Sequence, residues 1–316
     1  MRPRVLLIAE AANPEWVSVP LVGWSLAKAL REVADVHLVT QIRHREAILR
    51  AGLTEGTSFT ALDTEAVQRR IWKLGERLRM GEGRGWTTLQ AMSALSYPGF
   101  ERKAWARFGA DIGAGRFDLV HRVTPLSPTA PSPMAAWCRR AGVPFVLGPL
   151  NGGVPWPPGF EAERRREREF LSYLRAAYKA LPGRTATLRD AAAILAGSRY
   201  TLGEIPARYH DKCIYLPENA VTPERFPRAA TPPEAPLTAA FVGRLVPYKG
   251  PDMLLEAAAP LLRAGRLRLH IVGDGPMRAE LETAARDLPG GTLHGWLPHD
   301  RGQEAPRGGH RLAFPS

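Results

Sequence analysis

Phe241-Val242-Gly243-Arg244-Leu245-Val246-Pro247-Tyr248-Lys249-Gly250-Pro251-Asp252 is the stretch from which the rest of the chain can be read. It passes from a mostly apolar run, Leu237–Val242, through a turn carrying two cations, into a helix start. The apolar run has the character of a strand buried on both faces. Pro251 suits the first helical position, where the N–H it lacks would have no intrahelical partner. The start of a helix offers free N–H groups and the positive end of the helix dipole, a natural seat for an anion. Arg244 adds a planar fork of donors and Lys249 a mobile point charge, both suited to a diphosphate. On the residues alone two readings stand: an anion-binding loop, or two surface cations beside a turn.

The same plan returns in Leu267–Val272, Gly273-Asp274-Gly275-Pro276 and an amphipathic stretch to Leu288. A dinucleotide fingerprint would need a third glycine at position 278, which is Arg278. The Gly-x-Gly is therefore weak support for NAD and reads equally well as a tight turn. Toward the N-terminus, Val5–Ala9, Val36–Thr40, Asp118–His121, Pro144–Leu147, Ala192–Ala196 and Lys212–Leu216 are strand candidates. Leu21–Arg31 has helical spacing. Strands alternating with helices predict an α/β fold with parallel sheets covered on both faces.

Residues 43–116 contain two helical patches, Ala66–Leu78 and Tyr97–Phe108, split by glycine-rich Met80–Trp86, which reads as a mobile loop. Thr222–Pro236 holds five prolines and no periodicity, the composition of a semi-rigid linker. The expected organisation is a first domain over 1–221, a linker over 222–236 and a second domain over 237–316. In the second domain Pro251–Arg263 reads as a helix that should kink or end early at Pro260. Thr292–His294 and Arg311–Phe314 read as short strands.

The 316 residues suffice for two domains, and the 45% hydrophobic content is that of a globular protein. A net charge of +12 favours anionic partners: a nucleotide diphosphate, an anionic membrane surface or nucleic acid. A basic stripe with interleaved aromatics is absent, which argues against nucleic acid. Cys138 and Cys213 stand far apart with no metal-like spacing, as buried thiols in a reducing compartment would. The apolar run after Met1-Arg2-Pro3-Arg4 is cut short by Glu10, so it reads as a strand rather than a leader. No apolar run is long enough to span a bilayer.

Taken together, Val242-Gly243-Arg244-Leu245, Lys249-Gly250, Val272–Pro276, Gly295-Trp296-Leu297 and Phe314-Pro315-Ser316 resemble the nucleotide-sugar-binding lobe of the retaining GT-B glycosyltransferases of family 4, the glycosyl transferases group 1. The resemblance implies two Rossmann-like domains facing across a cleft. It implies donor binding by Gly243, Arg244, Lys249, Gly273, Asp274 and Gly275. Phe117–His121 resembles the strand end where the family often places a histidine near the donor sugar, so His121 is the catalytic candidate; a satisfied structural histidine is the other reading. Gly148-Pro149-Leu150-Asn151-Gly152-Gly153 and Pro217-Glu218-Asn219-Ala220-Val221 resemble cleft-facing segments, which makes Asn151, Gly152, Gly153 and Asn219 acceptor-side candidates.

Three departures accompany the likeness. Val17-Ser18 stands where the family has two glycines before its first helix. His299–Arg311 is rich in glycine and proline where a helix is expected. The family's Glu-x7-Glu segment would follow Ser316, so the second domain is expected to be incomplete. The resemblance implies sugar transfer from a nucleotide diphosphate sugar to a carbohydrate or lipid-linked acceptor, with no metal cofactor, in the cytoplasm and in peripheral contact with an anionic membrane. The charged run Glu161–Arg168 reads as a solvated helix or as an interfacial one. A nucleotide-binding fragment without catalysis is the alternative function.

Overall fold

The computed structural model describes residues 2–65, 86–152, 154–166, 182–220, 236–297 and 311–312. These form two compact units. The first holds 2–65, 86–152, 154–155 and 182–220; the second holds 156–166, 236–297 and 311–312.

The first unit is built on β1 (Arg4–Ala9), β2 (Asp35–Gln41), β3 (Phe59–Leu62), β4 (Leu119–Thr124), β5 (Phe145–Leu150), β6 (Ala193–Ala196) and β7 (Cys213–Tyr215). Their order is β3-β2-β1-β4-β5-β6-β7, with parallel pairing throughout. Leu7 lies in register with Leu38 on one side and His121 on the other. Alternate residues of β1 serve opposite cores. Leu6 and Ile8 pack with helix α3 (Trp86–Gly113) through Tyr97, Phe100, Ala104, Phe108 and Ile112. Val5 and Leu7 pack with Ala27 of α1 (Val19–Val33) and with Phe59. Both faces are therefore covered, which is why β1 reads as an unbroken apolar run.

Helices α2 (Arg45–Arg50), α4 (Pro133–Arg140), α6 (Pro182–Asp190) and α7 (Arg199–Gly203) complete the first unit among the described residues. Helix α3 contains the expected patch Tyr97–Phe108 but is much longer, and it passes through Pro98. It begins at Trp86, the last residue of the stretch expected to be a loop; Ala66–Leu78 and Met80–Gly85 lie outside the described residues. Strand β3 had no counterpart in the sequence reading, because Phe59–Leu62 is too short and too mixed to stand out.

The second unit has β8 (Leu237–Val242), β9 (Leu267–Val272), β10 (Gly291–Gly295) and β11 (Arg311–Leu312), ordered β10-β9-β8-β11 and all parallel. Helices α8 (Pro251–Arg263) and α9 (Arg278–Ala285) pack one face through Leu255, Ala258, Leu262, Leu281 and Ala285 onto Phe241, Leu269 and Ile271. Pro260 neither ends α8 nor breaks its last turn: Ala264 N–H still donates to the Pro260 carbonyl at 3.2 Å. Pro260 and Glu256, the residue whose carbonyl loses its partner, are both exposed, so water can satisfy that group.

Residues 156–166 group with the second unit although the sequence reading put them in the first domain. The physical cause is Arg166, at the end of helix α5 (Glu161–Arg166). Its guanidinium pairs with Asp252 of α8 at 2.7 Å and with Glu280 of α9. The rest of the charged run, from residue 167, the linker over 222–235, and His299, His310, Phe314, Pro315 and Ser316 lie outside the described residues.

Candidate functional site

In open parallel sheets, ligands bind beyond the carboxyl ends of the strands, where the strand order reverses. In the second unit that point lies between β8 and β11, and the segment leaving β8 there is Gly243–Gly250. Its backbone is tightly held. Gly243 N–H donates to the Val272 carbonyl at 3.0 Å and Leu245 N–H to the Asp274 carbonyl at 3.0 Å. Met277 N–H returns to the Leu245 carbonyl at 3.1 Å, joining the loops after β8 and β9 into one structure. A 3-10 turn, Pro247–Lys249, follows, and Gly250 takes the left-handed conformation (φ 58°, ψ 37°) that redirects the chain into α8. Arg244 is exposed and Lys249 half-buried, its Nζ 5.6 Å from the Tyr248 ring centre.

The two glycines after β9 have a steric cause. A Cβ at Gly273 would lie 1.8 Å from the Gly243 carbonyl oxygen, and one at Gly275 would lie 2.5 Å from that of Leu245. Asp274 turns back on its own loop, accepting from Gly275 N–H at 2.7 Å and from Arg278 at 3.1 Å. Thus Gly243, Arg244, Lys249, Gly273, Asp274 and Gly275 all fall within one loop pair at the switch point. Position 278, where a dinucleotide fingerprint needs glycine, belongs instead to an Asp274–Arg278–Glu282 ladder of ion pairs along α9.

In the first unit the order reverses between β1 and β4. There Thr124 Oγ1 accepts from Ala11 N–H at 2.9 Å and donates to the Ala11 carbonyl at 3.2 Å, tying the β1–α1 loop to the end of β4. Ser18, just before α1, has φ 65° and ψ −138°, a backbone shape that glycine adopts freely. The loop therefore keeps a glycine-like geometry at one of the two positions where glycine is missing.

His121 is buried, 5% exposed, and its Nε2–H donates to the Gly148 carbonyl at 2.7 Å. Burial drives its pKa down to about 4, opposed in part by that hydrogen bond, so the ring is neutral at pH 7. This bond ties β4 to Gly148, a positive-φ residue inside β5 where the pairing register with β6 shifts. Strand β4 runs on to Thr124, three residues beyond the His121 at which the sequence pattern ends it.

Strand β5, to which His121 bonds at Gly148, leads to Asn151, Gly152 and, outside the described residues, Gly153. Asn151 Nδ2 donates to Glu218 Oε1 at 2.5 Å, and Asn219 Nδ2 approaches the same oxygen at 3.5 Å. Glu218 Oε2 is buried with no hydrogen-bond partner among the described residues. Burial raises the Glu218 pKa, offset in part by Asn151. Asn151, Gly152 and Asn219 thus meet at one cluster, and its centre is Glu218, a residue of the Pro217–Val221 segment whose role only its partner Asn151 shows. Thr201 Oγ1 supports the cluster by donating to the Gly152 carbonyl at 3.2 Å.

Residues 236–316 match the model of the family described as glycosyl transferases group 1. Glycogen synthase of Thioalkalivibrio sulfidiphilus is 55% identical over 47 residues; the match takes in 15% of this chain and 9% of that relative's length. The structure of a glycosyltransferase from Rickettsia africae superposes with a TM-score of 0.55 at 12% identity, over 100% of this chain and 73% of that one. Anabaena HepE, solved in complex with UDP and glucose, gives 0.51 at 13% identity, over 100% and 74%. At these identities the superpositions show the fold: two Rossmann-like units of the GT-B type.

Proposed function

We propose that this chain, a GT-B fold whose second unit belongs to the glycosyl transferases group 1, moves a sugar from a nucleotide diphosphate sugar to an acceptor. The observation that carries this reading is the Gly243–Gly250 loop. It stands at the switch point of its sheet and carries Arg244 and Lys249 in the segment that leads into a 13-residue helix. When the sugar leaves, negative charge grows on the nucleotide diphosphate. Arg244, Lys249 and the N–H groups of the first turn of α8 would stabilise that charge. A structure of the same fold supports this choice of donor, since HepE was solved with UDP and glucose.

The acceptor would be a carbohydrate or a lipid-linked saccharide held from the first unit. Asn151, Asn219 and the unpartnered oxygen of Glu218 are suited to sugar hydroxyls, which both donate and accept. His121 would act as a positioning residue, bonded to Gly148 in the strand that leads to Asn151. Retention at the anomeric carbon belongs to the family resemblance, and no covalent intermediate is invoked. Contact with an anionic membrane would draw on the net charge of +12. The test is direct: incubate the chain with UDP- and GDP-sugars and saccharide acceptors, and follow nucleotide diphosphate release and product configuration. Release above the uncatalysed rate with one donor supports the reading; inertness toward all donors, together with no binding of UDP or GDP, overturns it.

A further inference from the structure

Helix α5 lies against the turn that carries Lys249 and ends in Arg166. The Arg166 guanidinium donates through Nη1 to Asp252 Oδ2 at 2.7 Å and through Nη2 to Glu280. Asp252 is the second residue of α8, three positions after Lys249. Its other oxygen, Oδ1, is buried and has no hydrogen-bond partner among the described residues. A carboxylate in the first turn suits the helix dipole, yet it competes with any anion seated at the same helix mouth.

We propose that Arg166 masks the Asp252 charge, so that the mouth of α8 presents a net positive field to a nucleoside diphosphate. Arg166 is a positioning and charge-compensating residue; it need not touch the ligand. The inference rests on the donor reading above. It adds a residue from an upstream segment to the donor loop and makes nucleotide affinity depend on a clasp between α5 and α8.

The experiment measures UDP and GDP affinity by calorimetry on the full chain. The proteins are wild type, Arg166→Gln, Arg166→Lys, Asp252→Asn and the Arg166→Gln/Asp252→Asn double variant. Wild type should bind one nucleotide. Arg166→Gln should weaken it by roughly tenfold at low ionic strength and by less at high salt, because the exposed Asp252 charge is screened. Arg166→Lys, which keeps the charge, should stay near wild type. The double variant should regain most of the lost affinity, because it removes the repulsion rather than restoring the clasp. A merely structural role for Arg166 would leave the double variant as weak as Arg166→Gln, and that result overturns the inference, as does Arg166→Gln binding like wild type. If wild type binds neither nucleotide while Asp252→Asn also fails, the donor reading itself falls and takes the inference with it.

Discussion

A side chain at Gly273 would place its Cβ 1.8 Å from the carbonyl oxygen of Gly243, so the loops after β8 and β9 can close on each other only if position 273 is glycine. Gly273 also has φ 139°, which L side chains rarely adopt. Gly273→Ala is expected to separate the loops, to cost roughly 2–4 kcal/mol of stability in the second unit and to abolish nucleotide binding. Thermal unfolding followed beside UDP and GDP titration checks both parts. An unchanged melting midpoint would show that the loops do not depend on this approach.

Ser18 bears strain that glycine would not. Its side chain makes no capping bond to α1, while its carbonyl accepts from Leu21 and Val22 at 3.0 and 3.1 Å, which any residue could do. Ser18→Gly is therefore expected to stabilise the first unit by about 1 kcal/mol, the relief of strain exceeding the added chain entropy. Denaturant midpoints at constant slope would measure it. A loss of stability would mean that the Ser18 hydroxyl matters to the loop.

His121 links burial to pH. Its folded pKa of about 4 lies below the unfolded value near 6.5, so the folded protein binds fewer protons between those values. The stability held by its neutral ring is complete above about pH 6.5 and is lost progressively as pH falls toward 4, by roughly 3 kcal/mol for this group. His44, buried beside Asn13 and also lowered to about 4, acts in the same direction. His121→Gln, which keeps a donor for Gly148 but does not titrate, is expected to flatten the decline between pH 6.5 and 4. Parallel curves for the two proteins would place the proton uptake elsewhere.

Glu218 separates acceptor from donor. Glu218→Gln is expected to raise KM for the saccharide acceptor by about tenfold, as for loss of one charge-assisted hydrogen bond, and to leave KM for the nucleotide sugar unchanged. A shift in donor KM alone would remove Glu218 from the acceptor side.

Much of the architecture was legible because parallel strands buried on both faces read as short apolar runs. Val5–Ala9, Leu237–Val242 and Leu267–Val272 fall within or coincide with strands of the structure. The donor loop was legible because Gly243, Arg244, Lys249 and Gly250 are close in sequence. What escaped depends on distant partners. Glu218 takes its meaning from Asn151, 67 positions earlier, and Arg166 from Asp252, 86 positions later. The partner of His121 escaped for the same reason, because Gly148 of β5 is 27 positions later. Pro260 looked like a helix breaker because its exposure, which lets water satisfy the freed carbonyl, is a property of the packed helix.

The most direct measurement is the affinity of Lys249→Ala for UDP and GDP, taken against wild type by calorimetry with melting midpoints recorded alongside. One charge-assisted hydrogen bond to a diphosphate is worth roughly 1.5–3 kcal/mol, so binding should weaken by about one to two orders of magnitude with the midpoint unmoved. Equal affinity in the two proteins would contradict a diphosphate grip at the mouth of α8.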